Sequence, residues 1–279
     1  MSNNDTTTAE SIPDVQSYAD AREIPIYRVG IKDIKHPVTV VDRSGKPQNV
    51  VANWTMTVAL PADRKGTHMS RFTQLLNDHH DTVHSLQNFG ELFREMNRRL
   101  ESTEGSIDLS FTWFINKQAP VSGVSGLLDY QLSLHADIER GGDAITSVKL
   151  VVPVTTLCPC SKEISEYGAH NQRSHVTIEA TPADNERGRE LFWEDLIRYA
   201  EEEASSELYS QLKRSDEKVV TERAYENPRF VEDLIRDIAI RLNSDDRIAS
   251  YRLEVENFES IHNHSAYAMI LSEESSGSA

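Results

Sequence analysis

The feature that most constrains the fold of this chain is a repeated alternation of apolar and polar residues. It is clearest over residues 52–60, 107–115 and 130–138, where every second residue is apolar. Side chains point alternately to the two faces of a strand, so a period of two predicts strands with one buried face, as in antiparallel sheets. We predict further strands at residues 145–154, 174–181 and 249–257.

Three other segments repeat their apolar residues at helical spacing. They lie at residues 89–100, 191–197 and 230–242, and Asn227-Pro228 is a start signal for the last of them. The elements follow in the order strand, strand, helix, helix, strand, strand, and then approximately the same order again. This order predicts an α+β protein whose helices pack on one face of antiparallel sheets.

Composition and charge limit the classes of function. No run approaches the ~20 apolar residues of a membrane-spanning helix, and residues 1–10 lack a signal-peptide pattern. The formal net charge of −16 argues against nucleic-acid binding, which needs basic surface to neutralise phosphates. We therefore expect a cytoplasmic protein that binds neither membranes nor nucleic acids. Residues 1–22 are interpreted as a flexible acidic arm.

A polar segment after the predicted strand at 145–154 contains both cysteines of the chain, Cys158 and Cys160, and also His170. Cysteines separated by one residue rarely reach disulfide geometry. Thiolate and imidazole are preferred ligands of zinc and similar metals, so metal binding is favoured over simple packing. Two thiols are too few for a closed structural site. The segment therefore predicts a catalytic metal site with one position open for water.

A second cluster near the end of the chain contains Glu259, His262 and His264. If this segment is a strand, the two histidines share one face of it. Two imidazoles and a carboxylate form an acid–base set that works near neutral pH. The alternative is a polar loop between two strands, and the segment alone leaves both interpretations open.

Two further clusters carry charge. Lys65, His68 and Arg71 lie in a loop with hydroxyls and free backbone N–H groups, which are the parts of a phosphate site, although a Walker pattern is absent. Residues 212–222 are rich in both signs of charge, and the ordinary interpretation is a solvated helix face.

Together these clusters resemble one family, GTP cyclohydrolase IB. The matching stretches are residues 29–38, 65–72, 157–174, 212–222, 227–233 and 259–264. The sequence Cys-Pro-Cys-Ser-Lys followed by Gly-Ala-His-Asn-Gln-Arg is highly specific for it. The resemblance extends from about residue 12 to residue 271, which is nearly the whole chain.

The resemblance implies a tunnelling fold (T-fold) of two tandem modules. Each module is an antiparallel sheet with paired helices on one face, and the boundaries expected here are 23–140 and 141–279, with most of the metal site in the second. It also implies a homotetramer in which sheets close into barrels and active sites lie between subunits.

The resemblance further implies an activity and a metal. The family hydrolyses GTP to 7,8-dihydroneopterin triphosphate and formate, the first step of tetrahydrofolate biosynthesis. Our hypothesis for the mechanism is that metal-activated water attacks purine C8. The expected metal is zinc or manganese, and its expected ligands are Cys158, His170 and Glu207. Glu201–Glu203 lie close to Glu207 in sequence and are the alternative carboxylates.

The remaining site residues are assigned by role. His262, His264 and Glu222 are the candidates for protonating the ring nitrogen, and Glu259 is expected to hold the guanine edge. Four cations are expected to hold the triphosphate: Lys65, His68, Arg71 and Arg173.

Two other functions compete with this interpretation. One is a nitrile reductase of modified-tRNA-base synthesis on the same fold, which uses a cysteine nucleophile, NADPH and no metal. His170 and the histidine pair argue against it. The other is a non-catalytic metal-handling protein, which leaves Glu259 and the loop at 65–71 without a role.

Overall fold

The three-dimensional structure is a computed structural model, and it describes residues 13–138, 142–183 and 190–272. Its elements are, in chain order, a 3-10 helix (Val15–Ser17), β1 (Ile26–Val41), β2 (Pro47–Leu60), α1 (Met69–Asp78), β3 (Val83–His84), α2 (Leu86–Arg99), β4 (Gly105–Gln118), β5 (Ser125–Ile138), β6 (Ile145–Leu157), α3 (Pro159–Ile164), β7 (Asn171–Pro182), α4 (Trp193–Glu203), β8 (Ser206–Glu207), α5 (Arg214–Glu226), α6 (Val231–Asn243), β9 (Ile248–Asn257) and β10 (Ala266–Leu271).

The strands form one ten-stranded sheet in the order β10-β9-β7-β6-β5-β4-β2-β1-β3, with β8 paired to β6 beside this path. Every pair is antiparallel except β1 with β3. The expectation of a mixed α+β protein with a mostly antiparallel sheet is confirmed. Pairing continues from β5 to β6, so one sheet runs through both halves of the chain.

The alternation seen in the sequence corresponds to the two faces of the sheet. Trp54, Met56 and Trp113 are almost fully buried beneath the helices, whereas their neighbours Thr55 and Thr57 on the opposite face are half-buried. Each fully buried side chain of this size stabilises the fold by about 1.5–3 kcal/mol. The periodicity therefore identified the core-facing side of each predicted strand correctly.

Irregular hydrogen bonding explains why the alternation does not locate β1. The register with β2 shifts between Ile26 and Val29 and again between Ile31 and Ile34, and Asp33 has a positive φ of 59°. Each shift turns the following side chains to the other face, which interrupts the period of two.

The helices agree with the three apolar stripes and add three that the stripes did not locate. The stripes correspond to α2, α4 and α6, while α1, the short α3 and the charged α5 are additional. Asn227-Pro228 separates α5 from α6, because the residue before a proline disfavours helical backbone. Within the described ranges, no helix combines the length and apolar content needed to cross a bilayer.

The strand ends form two rows, one at each edge of the sheet. Each row is named after the chain connections that lie there. At the hairpin end lie the connections at residues 42–46, 119–124, 158–170, which includes the short α3, and 258–265. At the helix end, the longer helical connections leave and rejoin the sheet. The hairpin end therefore brings the cysteine-containing segment and the histidine-rich segment to the same row of strand ends.

Residues 13–22 lie against the loop that follows β2. Gln16 Nε2 donates to Thr67 O at 3.1 Å, and Lys65 N donates to Tyr18 O at 3.0 Å. The first twelve residues of the expected N-terminal arm lie outside the described residues.

Asp216 ties the start of α5 to the β4–β5 hairpin. Its carboxylate accepts from Val121 N at 2.9 Å, Ser122 N at 2.8 Å, Ser122 Oγ at 2.6 Å and Lys213 N at 2.8 Å. Burial raises the pKa of Asp216, but the hydrogen bonds, led by those from Ser122, outweigh it and hold the pKa well below its usual range.

Asp216→Asn is expected to destabilise the chain at neutral pH, because an amide places hydrogens against donors that need an acceptor. A carboxyl whose pKa is lower in the folded state than in the unfolded state stabilises the fold at pH values above its unfolded pKa of about 4. This stabilisation is lost as the pH falls below that value toward the folded-state pKa. Urea unfolding should therefore show the full wild-type advantage at pH 7 and a smaller one below about pH 4. Asp233→Asn is the matched control, since Asp233 accepts from Phe230 N at 3.0 Å at the surface. Equal losses in the two variants would contradict this role for Asp216.

Candidate active site

The β6–β7 hairpin brings Cys158 and His170 together. Cys158 follows β6 as the N-cap of α3, and its backbone N–H donates to His170 O at 3.1 Å. Ser161 N donates to Cys158 Sγ at 3.4 Å, which stabilises negative charge on the sulfur. Cys158 is half-buried and Cys160 is exposed on α3. The structure therefore places Cys158, rather than Cys160, next to the histidine.

His170 lies between two connections of the hairpin end. Its backbone N–H donates to Ser161 Oγ at 3.2 Å. Its ring Nδ1 lies 3.0 Å from Gln172 Oε1 and 3.4 Å from Ser260 Oγ. Ser260 belongs to the β9–β10 connection, so His170 is the point at which the cysteine segment and the histidine-rich segment meet.

The β9–β10 connection is a loop, and its interpretation as a strand is wrong. β9 ends at Asn257 and β10 begins at Ala266, so residues 258–265 have no ladder partner. The rings of His262 and His264 nevertheless stack, with centroids 5.1 Å apart and planes inclined by 15°. Both rings are exposed and Glu259 is half-buried. Two adjacent imidazoles thus face solvent beside the Cys158–His170 hairpin.

Glu207 approaches the same end of the sheet from β8. β5 and β6 pair only as far as Gln131 and Val151, and beyond them β8 lies beside β6, with Glu207 opposite Val154.

The carboxylate of Glu207 is already bound by protein groups. Lys117 Nζ forms an ion pair with it, Tyr209 OH donates at 2.6 Å, and Arg223 Nη1 lies at 3.4 Å. Burial raises the pKa of Glu207, but hydrogen bonds from Lys117 and Tyr209 outweigh it and the net pKa is lowered. Glu207 is therefore a charged carboxylate with cationic partners.

The donor set fits a metal at two of its three positions. Cys158 and His170 are joined through their backbones, and their side-chain types, a thiol and an imidazole, are ligands that suit zinc. Across the part of the chain that the structure describes, no three His, Cys, Asp or Glu side chains are gathered closely enough to hold an ion. The third expected ligand, Glu207, is turned to Lys117 instead.

Three of the four expected phosphate-binding residues lie at the opposite row of strand ends. Lys65 is exposed, His68 Nε2 lies 3.2 Å from Asp14 Oδ2, and Arg71 Nη1 donates to Arg99 O at 2.8 Å. These residues follow β2 at the helix end, whereas Cys158 follows β6 at the hairpin end.

The length of β6, 13 residues at ~3.3 Å each, separates the two ends by roughly 40 Å. Arg173 differs from the other three cations because it lies on β7 beside the site, where its carbonyl accepts from Phe258 N at 3.0 Å. One chain therefore does not bring the four cations together.

Glu222 lies on α5, exposed, with Lys218 Nζ at 3.7 Å from its Oε1. Lys162 Nζ donates to Tyr225 O at 2.6 Å, which places the last turn of α5 beside α3. The charged segment at 212–222 is thus largely a solvated helix face that ends near the site.

The structure adds polar residues that the sequence analysis did not single out: Lys117, Thr156, Gln172, Ser174, Asn257 and Ser260. Four of them are buried, namely Thr156, Gln172, Ser174 and Asn257. The sequence does contain a signal for these four, because they occupy strand positions at which the alternation predicts buried apolar residues. A polar residue at a core-facing position is an informative exception.

Comparison with known proteins identifies the family. A family model described as type I GTP cyclohydrolase folE2 matches residues 12–268. A protein named GTP cyclohydrolase FolE2 from Nitrosococcus oceani is 58% identical over 260 residues, which cover 93% of this chain and 94% of that protein. One of the same name from Azoarcus sp. is 54% identical over 262 residues, covering 94% and 95% respectively.

Among solved structures, the crystal structure of uricase from Arthrobacter globiformis superposes with a TM-score of 0.50 at 7% identity. The match covers 90% of this chain and 94% of the uricase chain. This likeness concerns the fold alone. With the family model and the relatives matching almost the whole length, the chain belongs to the family of type I GTP cyclohydrolases described as FolE2.

Proposed function

We propose that this chain hydrolyses GTP to 7,8-dihydroneopterin triphosphate and formate, as the first step of tetrahydrofolate biosynthesis, and that it belongs to the IB subclass. The match to FolE2 proteins over almost the whole chain carries the proposal. It is supported by the contact between His170 and Ser260, which joins the Cys158 hairpin to the loop of Glu259, His262 and His264.

The proposal includes a divalent metal, zinc or manganese, held by Cys158, His170 and Glu207. Such an ion supplies Lewis acidity that activates water toward purine C8. Cys158 and His170 are joined through their backbones, and Glu207, which forms an ion pair with Lys117, would be the third ligand.

The loop at 258–265 supplies the proton chemistry and the base recognition in this proposal. His262 and His264 are solvent-facing imidazoles able to protonate the ring nitrogen as the imidazole ring opens, and Glu222 is the further candidate. Glu259 accepts the N–H and NH₂ groups of the guanine edge, since a carboxylate binds two donors at once.

The position of the phosphate-binding residues supports an active site shared between subunits. Lys65, His68 and Arg71 lie at the helix end of a chain, so they reach a triphosphate at the hairpin end only from a neighbouring subunit. The protein in this proposal is a homotetramer with the tunnelling fold. Each chain is built from modules 23–140 and 141–279, and the enzyme works in the cytoplasm. Arg173 contributes from the same chain as Cys158.

The direct test is incubation of the purified chain with GTP and Mn²⁺ or Zn²⁺, followed by oxidation and measurement of pterin fluorescence. We expect fluorescent pterin and stoichiometric formate, loss of both after chelation, and recovery when metal is restored. Oxidation of NADPH with a nitrile substrate would instead identify a reductase. Metal binding without any turnover would identify a metal-handling protein.

The shared site gives a second prediction through mixed oligomers. Lys65→Ala/Arg71→Ala is expected to raise KM for GTP more than it lowers kcat, because ground-state phosphate binding is lost. Cys158→Ala is expected to be inactive by itself. Co-expressed tetramers of the two variants should regain activity at limiting GTP, in about a quarter of the wild-type sites if the subunits mix randomly.

The control for this experiment is to mix the two variants after separate purification, without subunit exchange, which should recover nothing. If co-expressed tetramers also stay at the level of the separate variants, both residue sets act within one subunit and the shared-site arrangement is wrong.

A further inference from the structure

A line of buried polar side chains runs beneath His170 and across three strands. His170 Nδ1 lies 3.0 Å from Gln172 Oε1, and Gln172 Nε2 donates to Thr156 Oγ1 at 2.9 Å. Thr156 Oγ1 lies 2.8 Å from Ser174 Oγ, which donates to Asn257 Oδ1 at 2.7 Å. Gln172 and Asn257 are 7% and 2% exposed, and the two hydroxyl residues between them are fully buried.

These hydrogen bonds have a single direction. The Ser174 hydroxyl donates its hydrogen to Asn257 Oδ1. In the hydrogen bond between Thr156 and Ser174, Thr156 is therefore the donor. The oxygen of Thr156 then accepts from the Gln172 amide, which turns the Gln172 carbonyl toward His170. A carbonyl needs a hydrogen on the atom it faces, so Nδ1 is protonated, and in a neutral imidazole the lone pair is left on Nε2.

We propose that Gln172 is a positioning residue, which fixes the ring orientation and Nδ1–H tautomer of His170 so that Nε2 is presented as a metal ligand. The inference rests on the proposed function, because it assumes that His170 binds the metal. A ligating histidine characteristically donates its other ring N–H to an acceptor that holds the ring in place. Gln172 is a neutral acceptor of this kind, and it is itself held by Thr156.

The same line of hydrogen bonds reaches the loop of the histidine pair. Asn257 is the last residue of β9, and residues 258–265 begin directly after it. The loop then returns to His170 through Ser260 Oγ, 3.4 Å from Nδ1. The ring of His170 and the start of the loop are therefore fixed by one buried set of groups.

The test measures the tautomer without any substrate. Long-range ¹H–¹⁵N correlation spectra of the imidazoles are recorded on chelator-treated protein above the histidine titration range, with the His170 signal assigned through His170→Gln. We expect the wild-type ring to carry its hydrogen on Nδ1. In Gln172→Met, a substitution of similar size without an acceptor, we expect a mixture of tautomers and zinc binding weakened by about 10- to 100-fold in a competition assay.

Two further variants separate positioning from general damage. Gln172→Glu keeps an oxygen facing Nδ1 and should retain the Nδ1–H tautomer, although it loses the amide hydrogen that Gln172 donates to Thr156 and should be less stable than the wild type. Gln131→Met makes the same change at an exposed glutamine of β5, whose amide donates to Thr112 Oγ1 at 3.2 Å. It should change neither the His170 tautomer nor the zinc affinity.

The inference is overturned if the wild-type ring carries its hydrogen on Nε2, or if Gln172→Met leaves both tautomer and zinc affinity unchanged. If Gln172→Met does not fold, the wild-type tautomer and Gln172→Glu still decide. If the proposed function is wrong but the inference is right, the tautomer and zinc results will be as expected, while the wild-type protein will not convert GTP.

Discussion

Cys158→Ala is expected to lose bound metal and to lower kcat by roughly 10³-fold or more, since Lewis acidity contributes several kcal/mol to such reactions. Cys158 is the half-buried cysteine whose backbone bonds to His170 and whose sulfur accepts from Ser161. Removing it deletes the thiolate of the expected ligand set and leaves His170 without its neighbouring donor. Metal content by mass spectrometry and kcat by pterin fluorescence are measured on the same preparation.

Cys160→Ala is the matched control, because Cys160 lies two residues away and is exposed on α3. It should keep most of the metal and most of the turnover. Thermal unfolding of both variants checks that the hairpin is intact. If Cys160→Ala loses the metal and Cys158→Ala keeps it, the ligand assignment is wrong, although the family assignment is unaffected.

Replacing the productive member of the His262–His264 pair with Ala is expected to lower kcat by about 10²–10⁴-fold, the usual contribution of general acid–base catalysis. Metal content should stay near that of the wild type, because neither ring belongs to the expected ligand set. Accumulation of a ring-opened formamide without formate would show that the residue serves the second hydrolysis. Product analysis by chromatography separates these two steps.

His80→Ala provides the control for the loss of an exposed imidazole, since the His80 side chain is 58% exposed and follows α1 at the opposite end of the sheet from the loop of the same chain. It should leave kcat unchanged. If both loop variants bind metal, fold normally and turn over at the wild-type rate, the two rings have no catalytic role. A fall in kcat that only follows a loss of stability would mean that they merely pack in the loop.

The sequence alone determined the elements whose signals are local. Alternation located the core-facing side of β2, β4 and β5, and the apolar stripes located α2, α4 and α6, because burial repeats with the period of each element. It also predicted that Cys158 and His170 act together. Both lie in one hairpin connection, so their proximity follows from short separation along the chain.

Only the tertiary structure decided how distant segments meet. The loop at 258–265 touches His170 because β9 pairs with β7, and Lys117 meets Glu207 because β8 takes the place of β5 beside β6. The buried line from Gln172 to Asn257 crosses three strands in the same way. Strand order and register arise from packing of the whole sheet, and local periodicity contains no information about either.

The residues expected to bind phosphate show most clearly what the sequence decides and what the fold decides. The sequence indicated that Lys65, His68 and Arg71 form a loop suited to anions, which depends only on their residue types. The direction of β2 then placed that loop at the helix end, about one full strand length from Cys158. The chemistry of a side chain is known from its residue type. The end of the sheet at which it lies depends on the direction of its strand, and only the assembled fold defines that direction.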